Sequence, residues 1–271
     1  MKCKDIIHIL EKLAPEKLAM SWDNVGLLVG RKDKSISKVL VTLDITDDVI
    51  EQAVEKQVDM IISHHPLIFK GVKSITTEDF IGRRLFTLIS NDICCYAMHT
   101  NFDMAENGMG ELAAKKLNLL HSRCIVKEAT YTKENGECIS VGCGRVGELE
   151  EPISLRELCE KVKKQFHIDS LNVYGASNMN TYMVSKIAIC PGSGKDYLKD
   201  VLKEQVDVYI TGDITHHVGL DGADQGIVIL DGGHFGIENI FVEYMESYLN
   251  QELSAGIEVI ASENKVPYLT V

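Results

Sequence analysis

The sequence predicts an α/β protein of two similar lobes, related by an internal duplication, with a site for two metal ions between them. Two observations lead there. Residues 37–65 (SKVLVTLDITDDVIEQAVEKQVDMIISHH) and 185–213 (SKIAICPGSGKDYLKDVLKEQVDVYITGD) align without a gap, 148 residues apart. A second, weaker echo joins 93–103 (ICCYAMHTNFD) to 228–238 (VILDGGHFGIE), 135 residues apart; each runs from an apolar strand into a histidine with a carboxylate four residues later. Chance resemblance between two strand–helix–strand units is common, and the paired echoes make duplication the better account.

Taken in order, each long repeat opens on Ser-Lys and a β-branched apolar run of the kind that suits a strand buried on both faces. A polar turn follows, then amphipathic helices expected over 47–57 and 195–205. Lys-Gln-Val-Asp or Glu-Gln-Val-Asp then leads into second strands expected at 58–62 and 206–210. Strand, helix, strand is the grammar of a parallel pair with a crossover. Between the copies, 126–184 reads as strand-rich with one helix. Asn135-Gly136 is a hairpin signal, and Gly142, Gly144 and Gly147 punctuate the next strand. Ser154 can cap a helix expected over Leu155–Phe166, with Glu157 three residues on completing a capping box. The Gly/Asn/Ser-rich stretch 172–180 reads as a turn or connector. A last helix is expected over about 237–252 and a short strand near 256–261. The lobes are expected at 1–125, carrying the His-His and His-x3-Asp motifs, and 126–271, carrying His-x3-Glu.

Bulk properties fit a globular protein. The 271 residues are 45% hydrophobic and 25% charged, and 40 acidic against 28 basic residues give a formal charge of -12. That excess argues against direct nucleic-acid binding, which needs a large basic footprint. Eight cysteines without CxxC spacing, and a start unlike a signal peptide, suggest a reducing, cytoplasmic setting. No apolar run approaches the length of a membrane span.

Three clusters carry the chemistry. Ser63-His64-His65-Pro66 follows a predicted strand, where ligand sites of parallel sheets gather. Adjacent residues in a turn point apart, so each histidine can serve a different ion, and Pro66 favours an extended His65. His99-Thr100-Asn101-Phe102-Asp103 adds a hard carboxylate ligand at Asp103 and a histidine that either ligates or orients. In Asp231-Gly232-Gly233-His234-Phe235-Gly236-Ile237-Glu238, the four-residue spacing puts His234 and Glu238 on one helix face. Each cluster alone has an ordinary alternative as a polar surface turn. Together His64, His65, Asp103, His234 and Glu238 match borderline divalent ions such as Zn²⁺, Fe²⁺ or Mn²⁺ and leave coordination positions for water. His99 and Glu238 are the candidates for catalytic roles. Gly212-Asp213-Ile214-Thr215-His216-His217 places Asp213 where the first copy has His65, and reads as pocket wall or an outer layer of the site. Thr42, Asp44 and Asn101 are placed near the ions by their position at strand ends. Pro191-Gly192-Ser193-Gly194-Lys195 lacks the upstream glycine of a phosphate-binding loop and reads as a plain turn.

At these motifs the chain resembles the NIF3-like family, known in bacteria as GTP cyclohydrolase 1 type 2 homologs. Trp22-Asp23-Asn24-Val25-Gly26-Leu27-Leu28-Val29-Gly30 looks like the family's opening signature, and the three clusters and the Gly212–His217 motif match its later ones. The resemblance runs over nearly the whole length. It implies two α/β lobes flanking a dinuclear site with His64, His65, Asp103, His234 and Glu238 as ligands, and a toroidal homohexamer. A long middle domain carried by some relatives has no room here. The family name implies water attack on the guanine ring of GTP with loss of formate. The resulting expectation is a metal-dependent hydrolase of a nucleotide or related small phosphorylated molecule, with GTP cyclohydrolase, phosphatase and phosphodiesterase chemistry as its variants. The alternative is a non-enzymatic metal-binding scaffold or regulatory protein.

Overall fold

The computed structural model describes residues 1–132, 136–263, 265, 266 and 268. Packing divides the chain into two units, Met1–Ala105 with Phe241–Lys265, and Glu106–Ile240 with Val266–Val271.

The first unit is built on a five-stranded sheet in the order Gly26–Val29, Cys94–Ala97, Met60–Ser63, Lys38–Thr42, Glu258–Ala261. Only the Gly26–Val29 edge runs antiparallel. The strands Met60–Ser63 and Cys94–Ala97 are buried along their whole length, as their apolar sequences require of a sheet covered on both faces. Helix Asp47–Glu55 forms the first crossover, started by Thr46, whose hydroxyl accepts from the Val49 amide, and it turns Val49, Ile50 and Ala53 inward. Helix Phe80–Ser90 forms the second, capped by Asp79 on the Gly82 amide, and buries Leu85 and Leu88. These side chains pack with Leu40, Ile61 and Cys95 in one core. Register then matters for function: Thr42 pairs with Ser63 and Ser63 with Ala97, so three parallel strands end level with one another. The residues that follow, around Asp44, His64 and His99, leave the sheet from the same edge.

The second unit has a six-stranded sheet ordered Leu120–Arg123, Arg145–Ser154, Met183–Ser193, Val208–Gly212, Val228–Asp231, Asn172–Tyr174. Its centre is parallel, with Ser193 opposite Gly212 and Thr211 opposite Asp231, so Asp213 and the Gly233-His234 turn follow strands that end together. A separate hairpin pairs Ala129–Thr132 with Cys138–Val141; Asn135 of the expected Asn-Gly turn lies outside the described residues. The capping box at Ser154 forms, with the Glu157 amide donating to the Ser154 hydroxyl at 3.3 Å and the Ser154 amide to the Glu157 carboxylate at 2.8 Å.

The repeated Ser-Lys and Gln-Val-Asp motifs turn out to be one device. In the first copy the Asp59 carboxylate accepts from the amides of Ser37 and Lys38 at 2.8 and 3.1 Å; in the second, Asp207 accepts from Ser185 and Lys186, both at 2.8 Å. Each aspartate clamps the start of one strand to the start of its neighbour.

Four expectations need correction. The helix expected at 195–205 is a 3-10 turn, Gly194–Tyr197, followed by a short α-helix, Leu198–Lys203, because the preceding strand runs on through Ser193. Asn172–Tyr174 is an edge strand on Val228–Asp231 rather than a connector, its exposed polar positions being tolerated at a sheet edge. The last helix is two, His234–Glu238 and Ile240–Glu252. A single boundary at 125/126 places the C-terminal tail in the second lobe, whereas Glu258–Ala261 pairs in parallel with Lys38 to Val41 and completes the first sheet.

Candidate metal centre

In the first unit, three histidines emerge from two strand ends. His64 is fully buried, and its Nδ1 lies 2.7 Å from the Met98 carbonyl. A carbonyl only accepts, so Nδ1 carries the proton and Nε2 keeps its lone pair. His65 makes the same kind of contact to Asp44 at 2.8 Å, and His99 to Asp23 at 2.9 Å. One ligating atom from each of His64, His65 and His99 lies within 4.8 Å of the others. Asp103, in the short helix Thr100–Met104, brings a carboxylate oxygen to 3.7 Å from His64 Nε2. An oxygen and an imidazole nitrogen at that separation suit shared ligation of one ion better than a direct hydrogen bond. Phe102 and Phe241 close round the His64 ring, with centroids 6.4 and 5.3 Å away.

Asp23 has a fully buried side chain. Burial alone pushes its carboxyl up, but hydrogen bonds from His99 and from the Thr100 hydroxyl and amide outweigh that and hold it down at about 2. It is therefore a fixed anion behind His99, holding the imidazole in one tautomer.

The second unit carries a His–Glu pair of its own. His234 opens the helix His234–Glu238, its Nδ1 2.8 Å from Asp213 and its Nε2 3.0 Å from Glu238. Glu238 is 3% exposed. Gly192 is what admits it: at φ +73°, a Cβ here would stand 2.3 Å from Glu238 Oε1. The turn is held in turn by Thr211, whose hydroxyl donates to the Gly192 carbonyl at 3.2 Å and accepts from the Gly194 amide at 3.0 Å. The segment expected to be a plain turn thus walls the Glu238 carboxylate. Asp231 anchors the loop by accepting from the amides of Ile214 and Gly233.

His64, His65, His99 and His234 share one arrangement: Nδ1 lies against a carbonyl or carboxylate oxygen, which leaves Nε2 as the nitrogen able to ligate. Imidazoles are commonly held this way for metal binding, and imidazole nitrogens and carboxylate oxygens are donor types that suit borderline divalent ions. His99, expected in a catalytic role, sits among the donors of the first unit. Of the residues placed near the ions by sequence position, Asp44 holds His65, while Asn101 Nδ2 donates to the Ala14 carbonyl and Thr42 Oγ1 to the Asp44 carbonyl. Asp213, noted for occupying the position of His65, orients His234. Asp23 in this role was missed, although it stands in the opening motif next to the chain's one tryptophan. Among the described residues, no group of three candidate ligands includes His216 or His217, which open the helix His216–Asp224.

The family model for Duf34/NIF3 (NGG1p interacting factor 3) matches residues 1–267. The chain belongs to the NIF3 family. A GTP cyclohydrolase 1 type 2 homolog of Clostridium acetobutylicum is 36% identical over 99% of this chain and 98% of its own length. The structure of a Staphylococcus aureus hypothetical protein superposes with a TM-score of 0.87 at 31% identity, covering 100% of this chain and 99% of the other. A Bacillus cereus protein related to NIF3 shares the fold at TM-score 0.90 and 24% identity, covering 100% and 99%. The NIF3 fold here is thus α/β with two sheet-bearing units and clustered His, Asp and Glu side chains fit for metal. Among the described residues, no helix is long and apolar enough to cross a membrane.

Proposed function

We propose that the chain is a dinuclear metal-dependent hydrolase acting on a nucleotide or a related small phosphorylated molecule, with His64, His65, Asp103, His234 and Glu238 as the metal ligands. The observation that carries this is the shared orientation of the histidines, each with its Nδ1 tied to an acceptor. Two such divalent ions would supply electrophilic polarisation and an acidified water, the usual service of paired ions in hydrolases. Zn, Fe and Mn all suit the donors.

The protein's own groups take the remaining tasks. Glu238, walled by Gly192, holds its carboxylate at one position beside His234. Asp44, Asp23 and Asp213 fix the imidazoles. His99, backed by the Asp23 anion, is our first candidate to hold or pass a proton, and Glu238 the second. The name carried by the clostridial relative supports guanine-ring hydrolysis as one form of this activity; phosphatase or phosphodiesterase chemistry is the other. A toroidal homohexamer and a cytoplasmic setting belong to the same proposal and rest on the family resemblance and on the free cysteines.

The test is elemental analysis of gently purified protein beside His65→Ala and Glu238→Ala, followed by substrate screening. Two transition-metal ions per chain are expected, with clear loss in both variants. Turnover should vanish on chelation and return with the ion. A change in guanine absorbance distinguishes ring opening from release of phosphate. Stoichiometric metal with no turnover on any nucleotide, together with a reproducible protein partner, would favour the scaffold reading, which the family description as an interacting factor supports. Sedimentation velocity checks the hexamer.

A further inference from the structure

Two large aromatic side chains stand in solvent beside the first-unit histidines. Trp22 is 59% exposed and Phe69 49%. Their ring centroids lie 5.9 Å apart with the planes inclined at 57°, and His99 stands edge-on to both, at 6.1 Å from Trp22 and 6.4 Å from Phe69. Leaving such rings in water forgoes the stabilisation that burial provides, and nothing loose in the backbone explains it.

The segment is pinned on both sides of Trp22. The Met20 amide donates to the Thr100 hydroxyl at 2.9 Å, and the buried Asp23 carboxylate accepts from His99 and from the Thr100 amide and hydroxyl. Asn24 Nδ2 donates to the Ile68 carbonyl at 2.5 Å, tying the tryptophan's segment directly to that of Phe69. The aromatic pair is therefore held open on a rigid frame, and the same aspartate that fixes His99 fixes the strand of chain bearing Trp22.

We propose that Trp22 and Phe69 form a binding face for a planar heteroaromatic ring, which sets the substrate class of the proposed centre. This rests on the metal-hydrolase reading for its location beside the reacting groups, but the recognition chemistry is its own. A flat ring stacks on one aromatic face and meets the other edge-on, leaving its periphery towards His99. Stacking tolerates different ring systems, because each has a π-face. The face therefore selects for a ring and against an aliphatic sugar phosphate of the same charge.

Trp22 is the chain's only tryptophan, so its emission reports on this place alone. The probes are guanosine and adenosine monophosphate, with ribose 5-phosphate as the ring-less control, measured by Trp22 fluorescence and by calorimetry on wild type, Trp22→Leu and Phe69→Ala. Both positions are exposed, and circular dichroism verifies that the variants fold. Expected are saturable quenching by both nucleotides, binding weakened about fivefold to 100-fold in each variant, and similarly weaker binding of ribose 5-phosphate. No nucleotide binding, binding indifferent to either substitution, or ribose 5-phosphate binding equal to that of the nucleotides overturns the inference. Metal content of the same samples separates the two readings. Ring-dependent binding in protein that takes up no metal sinks the hydrolase and keeps the aromatic face; two ions per chain with binding indifferent to the substitutions does the reverse.

Discussion

Gly192→Ala is the most discriminating single substitution available, because the structure separates its two effects. The residue sits at φ +73°, a conformation in which a side chain costs roughly 1–2 kcal/mol. Gly226 sits at φ +83°, but a Cβ there meets nothing within 4 Å. Gly226→Ala should therefore lower stability by about 1–2 kcal/mol in urea denaturation and leave metal binding alone. Gly192→Ala should show the same backbone cost and something more. Its Cβ would lie 2.3 Å from Glu238 Oε1, so the carboxylate must retreat by about 1 Å to reach ordinary contact. Glu238 is 3% exposed and has little room in which to do so. If Glu238 ligates as proposed, displacing it, like removing a group that orients a ligand, should weaken metal affinity by about 10- to 100-fold. Competition titration against a chromogenic chelator reads this directly. Wild-type affinity in Gly192→Ala, with stability matched to Gly226→Ala, would refute the reasoning that the turn positions Glu238.

Other consequences follow from the same geometry. Asp44→Asn and Asp213→Asn should each weaken metal binding about 10- to 100-fold with little change in apo-protein stability, since both carboxylates are substantially exposed and act on His65 and His234; the same titration checks it. Asp59→Ala should cost about 1.5–3 kcal/mol, the usual worth of hydrogen bonds to a charged acceptor. Burial pushes the Asp59 carboxyl up, but the bonds from Ser37 and Lys38 outweigh it and hold it below the ordinary 3.8. The sign follows: this stabilisation is complete above the unfolded-state value and is lost as pH falls through the lower folded-state one, so urea midpoints of wild type and Asp59→Ala should converge only in acid. Chelation should lower apparent stability by about 2.7 kcal/mol relative to protein held at free metal 100 times its Kd, and re-addition should restore it; calorimetry in matched buffers decides.

Much of the fold was legible because it rests on local pattern. The strand 60–63 reads as buried from its apolar run, and Ser154 with Glu157 announces a helix within a few residues. What escaped depends on distant partners. Nothing local in Glu258–Ala261 says that it pairs with a strand more than 200 residues earlier, and a three-residue edge strand at 172–174 has too few side chains to show a period. The site divides the same way. Histidines at strand exits stand out by position, but which carboxylate serves which imidazole does not: Asp44 is 21 residues from His65, and Asp23 is 76 from His99. A carboxylate that accepts an imidazole proton looks in sequence like any polar loop residue. Asp213 left a trace through its alignment with His65, and Asp44 through its position at a strand end.

The paired clamps of Asp59 and Asp207 have a consequence of their own. Each grips the entrances of two neighbouring strands, while the candidate ligands and their orienting carboxylates sit past strand exits or, for Asp23, just before the antiparallel strand Gly26–Val29, whose first residue pairs with Ala97 at that same edge. Cohesion and chemistry thus occupy opposite poles of the same few strands. The repeats illustrate what that permits: both keep the aspartate at the entrance, yet at equivalent exits one carries His65, a candidate ligand, and the other Asp213, which steadies a neighbour's imidazole. A framework fastened at one pole leaves the other open to revision, and residues at the exits can exchange the work of a ligand for that of its support without loosening the sheet beneath them.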